Sequence, residues 1–296
     1  MNSVSIIGVG RVGGAIALAL YDQGYVIENL IARNFTNTKS ISKKLSDKTE
    51  VKSLDEIKSF SSQIIFITTQ DNEIEKIVDQ LLTKSLPEKT YIFHSSGSLS
   101  SEILYPLKNK GCSVGSIHPL VSISDSHLGV KRFRDAFFCL EGDEETLPIS
   151  EKIVKAFGGK PFYLETKYKA LYHASAVVAC GHLVALIDVS MEMLAKCGLD
   201  ADVSKNILMP LVKSTIQNLE IQKNNEALTG TFARADTETF DKHLSAINEY
   251  SSKDILEIYL ILGERSLELA KELGIDQAKA DLMSKKISLA KNNLKC

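Results

Sequence analysis

Two groups of residues in this chain have the types and spacing that chemistry requires. The first is Gly8-Val9-Gly10-Arg11-Val12-Gly13, a G-x-G-x-x-G run. In such a run the first glycine permits a tight turn, the second lets backbone approach a pyrophosphate, and the third allows close helix–strand packing. A helix opening there would turn free N–H groups and a partial positive charge toward phosphate. The second group is Lys169 and His173, spaced i, i+4 and so on one helix face, with Cys180 further along it. A lysine or histidine beside a carbonyl can polarise it or protonate the oxygen once a hydride has been added. Lys169 is therefore read as proton donor or carbonyl polariser, and His173 as its partner or the alternative acid. The competing readings are a solvated first-turn lysine and a hydrogen-bonded core histidine.

These residues need elements to hold them. Val4–Ile7 reads as a buried strand and Gly13–Tyr21 as a helix stopped at Gly24, which gives the glycine run its required strand–turn–helix setting. Val26–Ala32 is the second strand. It ends Ile31-Ala32-Arg33-Asn34, with no acid to bind ribose hydroxyls. Arg33 can pair with a 2′-phosphate, and Asn34, Thr36 and Lys39 can add hydrogen bonds or charge, so the expected dinucleotide is NADP rather than NAD. The run of residues 63–69 is a third strand, and Ile74, Ile77, Val78, Leu81 and Leu82 line one face of the next helix, with Asp71 as its cap. Thr69 follows the strand that would pass beneath the cofactor.

Thr90–His94, Ser113–His118 and Ala136–Leu140 are further strands. Nearly continuous apolar strands between amphipathic helices predict a parallel sheet covered on both faces. After the fourth of them, Ser95 and Ser96 in His94-Ser95-Ser96-Gly97-Ser98 can receive a nicotinamide ribose or a substrate carboxylate, or Ser98 or Ser100 can cap a helix. His118 ends another strand and either faces the cleft or shapes a turn with Pro119. Lys39–Lys58 reads as a surface helix plus loop.

Beyond about Leu164 the pattern becomes helical: Lys169–Lys196, Val203–Gln222 with a kink or break at Pro210, Asp236–Tyr250 and Asp254–Leu273. The expected domains are residues 1–164, binding the dinucleotide, and 165–296, helical. Arg234, in a polar loop before a helix, could bind a substrate carboxylate or pair with Asp236.

Composition excludes several classes. With 35 basic and 37 acidic side chains the net charge is −2, not the basic bias of a nucleic-acid protein. The five cysteines form no C-x-x-C pair, no His/Cys/Asp group has metal spacing, and no G-x-S-x-G elbow points to a hydrolase. No basic n-region precedes the first apolar run, which predicts the cytoplasm. Ala170–Ile187 lacks Asp, Glu, Lys and Arg, but it carries Tyr172, His173, Ser175, Gly181 and His182. It is read as a helix buried in a domain or dimer core, not a membrane span.

Three segments carry a family resemblance: Gly115-Ser-Ile-His118-Pro119-Leu120, Lys169-Ala-Leu-Tyr-His173-Ala-Ser-Ala, and Thr229-Gly-Thr-Phe-Ala-Arg234-Ala-Asp236, followed by Thr239 and His243-Leu244. Together they resemble the Rossmann-like plus DUF2520 proteins, relatives of pyrroline-5-carboxylate reductase and of the 6-phosphogluconate dehydrogenase-like superfamily. The chain departs from the family pattern at Gly181, where relatives often have Asn, and at Thr231 and Ala235. The resemblance implies a dinucleotide domain, a helical domain that packs in a homodimer, and an NADP-dependent oxidoreductase. It is also similar in layout to the alternative ketopantoate reductases of pantothenate biosynthesis. A pyrroline-5-carboxylate-like imine, another hydroxy acid, and a dinucleotide-binding sensor without turnover are the alternatives.

Overall fold

The structure, a computed structural model, describes residues 2–294. The chain divides into two compact units, Met1–Gly181 and His182–Cys296, and the division falls inside one helix.

The first unit alternates strands and helices: β1 Ser3–Ile7, α1 Arg11–Asp22, β2 Val26–Ile31, α2 Phe35–Ser42, β3 Glu50–Lys52, β4 Ile64–Ile67, α3 Asp71–Leu82, β5 Tyr91–His94, β6 Ser113–Leu120, α4 Ser126–Phe133, β7 Phe137–Gly142, α5 Leu147–Ala156 and β8 Lys160–Tyr163. The sheet order is β3-β2-β1-β4-β5-β6-β7-β8. Pairing is parallel from β3 to β6, antiparallel between β6 and β7, and parallel again between β7 and β8. The strand order reverses between β1 and β4, the switch point where such sheets bind ligands beyond their carboxyl ends.

β4 shows how the sheet is covered. All four of its residues are buried, and they alternate between two cores. Ile64 and Phe66 pack with Ala15–Leu20 of α1, Phe133 and Ile153, whereas Ile65 and Ile67 pack with Ile74, Ile77, Val78 and Leu81 of α3. A strand buried on both faces must be apolar at every position, so it reads as a continuous run rather than an alternation.

The second half is helical: α6 Lys169–Lys196, which begins in the first unit, then α7 Ala201–Ile221, α8 Asn224–Ala227, α9 Thr237–Tyr250, α10 Lys253–Glu272 and α11 Gln277–Leu294. The core of the second unit joins Phe240, Ile247, Leu260, Leu267, Met283 and Ile287, with Val189 and Met193 packed against it. Phe232 lies against Gly263, where a Cβ would come 2.6 Å from a ring carbon.

Several expectations are corrected. β3 lies within the stretch read as helix and loop; its three residues join an edge by backbone pairing and leave no apolar pattern. β8 begins Lys160-Pro161, and an edge strand tolerates a proline. β7 is antiparallel, so the sheet is not wholly parallel. α7 runs through Pro210 as one element. α11 follows a more polar segment that the apolar spacing does not mark. Asp71 opens α3 rather than capping it; its carboxylate instead accepts from the Ser98 hydroxyl at 2.6 Å. α6 is not buried within the chain. Lys169 is its only buried residue, and Leu171, Val178 and Val184 are 71%, 62% and 68% exposed. By length and composition alone α6 could also cross a membrane.

Candidate active site

The glycine turn begins the site. Gly8 has φ +97°, a left-handed conformation that a side chain would strain, and a Cβ there would meet Thr69 at 2.7 Å. The Thr68 hydroxyl donates to the Gly8 carbonyl at 2.6 Å, and both groups crowd Gly13, which has no room for a Cβ. At Gly10, by contrast, a Cβ would meet nothing within 4 Å. Gly10 is the N-cap of α1 and carries no side-chain cap. Arg11 and Val12 supply the first helical N–H groups. The turn is thus tight beneath and open above.

A cavity of about 650 Å³ opens off this turn, lined by Gly8–Gly10, Arg33, Asn34, Thr69 and Glu73 among others. Asn34 caps α2, its side chain accepting from Thr36 N–H at 2.9 Å. Arg33 is 79% exposed and pairs with Glu73 in the first turn of α3, and Lys76 stands 3.7 Å from the same carboxylate. The open backbone at Gly10 and the cation at the end of β2 fit a dinucleotide with an extra phosphate on its ribose.

Further along the sheet the polar groups are buried. His94, Ser116 and Glu141 are cross-strand neighbours on β5, β6 and β7, and all are 6% exposed or less. Lys169 enters this row from α6 with only 1% of its surface exposed. Its ammonium donates to Ser116 Oγ at 2.6 Å and lies 3.7 Å from Glu141. The Glu141 carboxylate also accepts from Ser101 N–H and hydroxyl, both at 2.8 Å. Burial lowers the Lys169 pKa, opposed by Cys139 and Glu141. Burial and then the Lys169 charge push His94 down to about 4, against the Ser100 carbonyl and Asp71. His94 Nδ1 accepts from Ser96 N–H at 3.1 Å. Its Nε2 makes no complete hydrogen bond.

A second cavity, of about 710 Å³, opens beyond the end of β6. His118, Phe162, Tyr172, His173, Ser175 and Cys180 are among its lining residues, with neither Lys nor Arg. His118 Nδ1 and the Tyr172 hydroxyl are 2.8 Å apart, and Phe162 meets the tyrosine ring edge-on at 5.7 Å. His118 and His173 form an edge contact at 5.6 Å. Gly97 lies against both rings; a Cβ there would stand 2.6 Å from His118 Nε2 and collide with His173 Nδ1. His173 Nδ1 and Thr69 Oγ1 are buried without a partner. Burial first, then the charges of Lys169 and His173, push His118 down to about 3, and burial raises the Tyr172 phenol. The site therefore keeps its imidazoles at His94 and His118 neutral at ordinary pH.

The structure places Thr69, Ser95, Ser96 and His118 on the carboxyl side of β4–β6 and brings His173 against His118; Thr69 lines the first cavity, His118 and His173 line the second, and Ser95 and Ser96 line neither. Lys169 does not line the second cavity, so it is neither a solvated lysine nor in direct reach of that space. Ser96 Oγ accepts from the N–H groups of Ser98 and Leu99, folding the loop after β5, and Ser95 is half-buried beside it. Arg234 lies in the second unit, exposed and lining neither cavity; Asp236 caps α9 through Thr239. Sequence reasoning missed Ser116, Glu141, Ser101 and Tyr172. The available signal was a serine and a glutamate inside otherwise apolar strands.

The fold is a doubly wound α/β unit followed by a helical region. Family models match the chain in two parts, a Rossmann-like domain over residues 1–119 and DUF2520, a domain of unknown function, over residues 136–266. A search of curated proteins found no match. Among solved structures it is similar to BF3122 of Bacteroides fragilis, provisionally described as an NADP oxidoreductase, at 18% identity and TM-score 0.75, covering 90% of this chain and 98% of that one. It is similar to TM1727 of Thermotoga maritima at 24% identity and TM-score 0.69, covering 91% and 98%. It is also similar to the pyrroline carboxylate reductase of Plasmodium falciparum with NADP bound, at 12% identity and TM-score 0.54, covering 90% and 98%. At these identities the likeness establishes the fold.

Proposed function

We propose that this protein is an NADPH-dependent reductase of a small carbonyl compound, with ketopantoate, reduced to pantoate, as the first substrate to test. The observation that carries the reading is the pairing, along one edge of one sheet, of a cavity fitted to a dinucleotide with a second cavity that holds protonatable side chains. The NADP oxidoreductases among the structural neighbours support the class and the cofactor. Gly8, Gly10, Arg11, Val12 and Gly13 would hold the pyrophosphate, Arg33 and Asn34 the 2′-phosphate, and Thr69 and Ser96 the nicotinamide half. NADPH, when bound, supplies a hydride. Lys169 contributes a fixed positive charge behind the site, and His173 orients the substrate with Ser95 and His118. Residues 1–164 serve the cofactor, and residues 165–296 complete the substrate site and the dimer.

An imine such as pyrroline-5-carboxylate is the second reading. It is favoured by the absence of Lys169 from the substrate cavity, because a protonated imine needs less help from an acid. Leu211 and Ile221 on α7 are 63% and 80% exposed, and we read this run as covered by a second copy of the chain in the cytoplasm. The test is calorimetric titration with NADPH and NADH, then NADPH absorbance with ketopantoate and with pyrroline-5-carboxylate. NADPH binding with oxidation by ketopantoate is the expected result. Binding without oxidation by any keto acid or imine indicates a sensor, and failure to bind either dinucleotide overturns the reading.

A further inference from the structure

We propose that Tyr172, held by His118, delivers the proton to the substrate oxygen. This rests on the reductase reading. Two observations on the second cavity lead to it. First, the buried charge best placed by sequence to act as an acid is already committed. Lys169 donates to Ser116, is balanced by Glu141, and does not line the cavity. Second, among the described residues that line the cavity, Tyr172 and His118 are hydrogen-bonded to each other, so a proton lost by the phenol can be replaced through the ring. The Tyr172 hydroxyl stands 2.8 Å from His118 Nδ1. His173 Nδ1 has no partner, the Ser175 hydroxyl is spent on the Tyr172 carbonyl, and Cys180 is exposed.

The ring is also held for the task. Phe162 and His118 both meet it edge-on, at 5.7 and 5.6 Å, so its hydroxyl has a fixed direction. Gly97 keeps the space beside His118 and His173 free of a side chain.

The step balances as follows. A bound nicotinamide dinucleotide would be the reductant, supplying a hydride to the carbonyl carbon as the C=O pair moves onto oxygen. The Tyr172 O–H bond breaks and a new O–H bond forms on that oxygen. His118, in the tautomer whose Nδ1–H donates to the Tyr172 oxygen, passes that proton to the phenolate as Nε2 takes one from water, and exchange with solvent then restores the Nδ1–H tautomer. The net change is one hydride from the cofactor and one proton from solvent. His118 begins and ends neutral, consistent with its burial.

The test is Tyr172→Phe, which keeps the ring and removes the hydroxyl. NADPH affinity should stay within about twofold of the wild type, whereas kcat for ketopantoate falls about 10²-fold or more, with a larger solvent deuterium isotope effect. In the enzyme alone, nitrogen NMR of labelled histidines should show the His118 Nδ1 resonance shifted in the variant. Reduction of pyrroline-5-carboxylate should lose little, because the protonated imine already carries its proton. Unchanged kcat on ketopantoate, or an unmoved His118 resonance, overturns the proposal and leaves the reductase reading standing. So does a wild type that reduces only the imine. A wild type that binds NADPH and oxidises it with neither compound overturns both.

Discussion

The two ends of the sheet's carboxyl edge solve opposite problems. At the β2 end the charges are on the surface: Arg33 is 79% exposed and its partner Glu73 is 17% exposed. At the β6 end the charges are inside, with the Lys169 and Glu141 side chains 2% and 3% exposed. A surface pair is screened, exchanges partners easily and contributes roughly 0–1 kcal/mol to stability. It can therefore let go of one carboxylate and take a phosphate. A buried pair has been stripped of water, and breaking it by removing one partner costs about 3–5 kcal/mol. Recognition of the cofactor's outer phosphate sits where it is adjustable. The proposed chemistry sits where the geometry is fixed and the imidazoles stay uncharged.

That contrast can be broken at its strong end first. Lys169→Met leaves the Glu141 carboxylate buried without its cation. It should lower unfolding free energy by about 3–5 kcal/mol in urea titration. The double variant Lys169→Met/Glu141→Gln should lose less than the sum of the singles, because the two sites share one interaction. A Lys169→Met protein with wild-type stability would place that end on the same footing as Arg33.

The next effect is the response to acid. His94 and His118 have folded pKa values pushed down to about 4 and about 3. An unfolded histidine titrates near 6.5. Below that value the unfolded chain binds more protons than the folded one. Their contribution is complete above pH 6.5 and is lost as pH falls toward 4, by up to about 1.4 kcal/mol per pH unit for each group. Urea midpoints between pH 7 and 5 should fall accordingly, and His118→Gln should flatten the slope. A slope unchanged by that substitution would mean that His118 takes up its proton as readily in the folded chain as in the unfolded one.

The smallest effect belongs to the surface end. Arg33→Ala should weaken NADPH binding about tenfold, by loss of a hydrogen bond to a charged group, and leave NADH affinity unchanged. Its unfolding midpoint should match the wild type. Equal losses for both dinucleotides would remove Arg33 from phosphate recognition.

How much of this was legible in sequence follows the same contrast. The glycine turn is a local feature, so six consecutive residues and two flanking elements sufficed to place it. Lys169 and His173 could be set on one helix face by counting alone. Arg33 could be read as following the second strand, but its Glu73 partner lies forty residues on and could not be. The row His94–Ser116–Glu141 joins three strands by register, and no spacing within any one strand encodes that. Tyr172 was overlooked because a tyrosine in an apolar helix looks like core until its hydroxyl is seen against His118. The reversed direction of β7 left no mark in composition, since a strand buried on both faces is apolar whichever way it runs.

That reversal has one more consequence. β8 starts beside Phe137, at the cleft end of the sheet, and finishes level with Leu140, part-way down it. The chain therefore turns into α6 from below the cleft, and the helix climbs back toward the rim. At 1.5 Å per residue, the stretch from Lys169 to Gly181 rises about 18 Å. Position along this one helix follows position along β6: Lys169 meets Ser116, Tyr172 meets His118 two residues further on, and Cys180 and Gly181 line the cavity beyond. Exchanging residues in the later turns could widen or narrow the cavity while the Lys169–Ser116 contact stays untouched. Gly181 is such a position: a Cβ there would meet only Val177, at 3.7 Å, so a side chain can be added without displacing a neighbour.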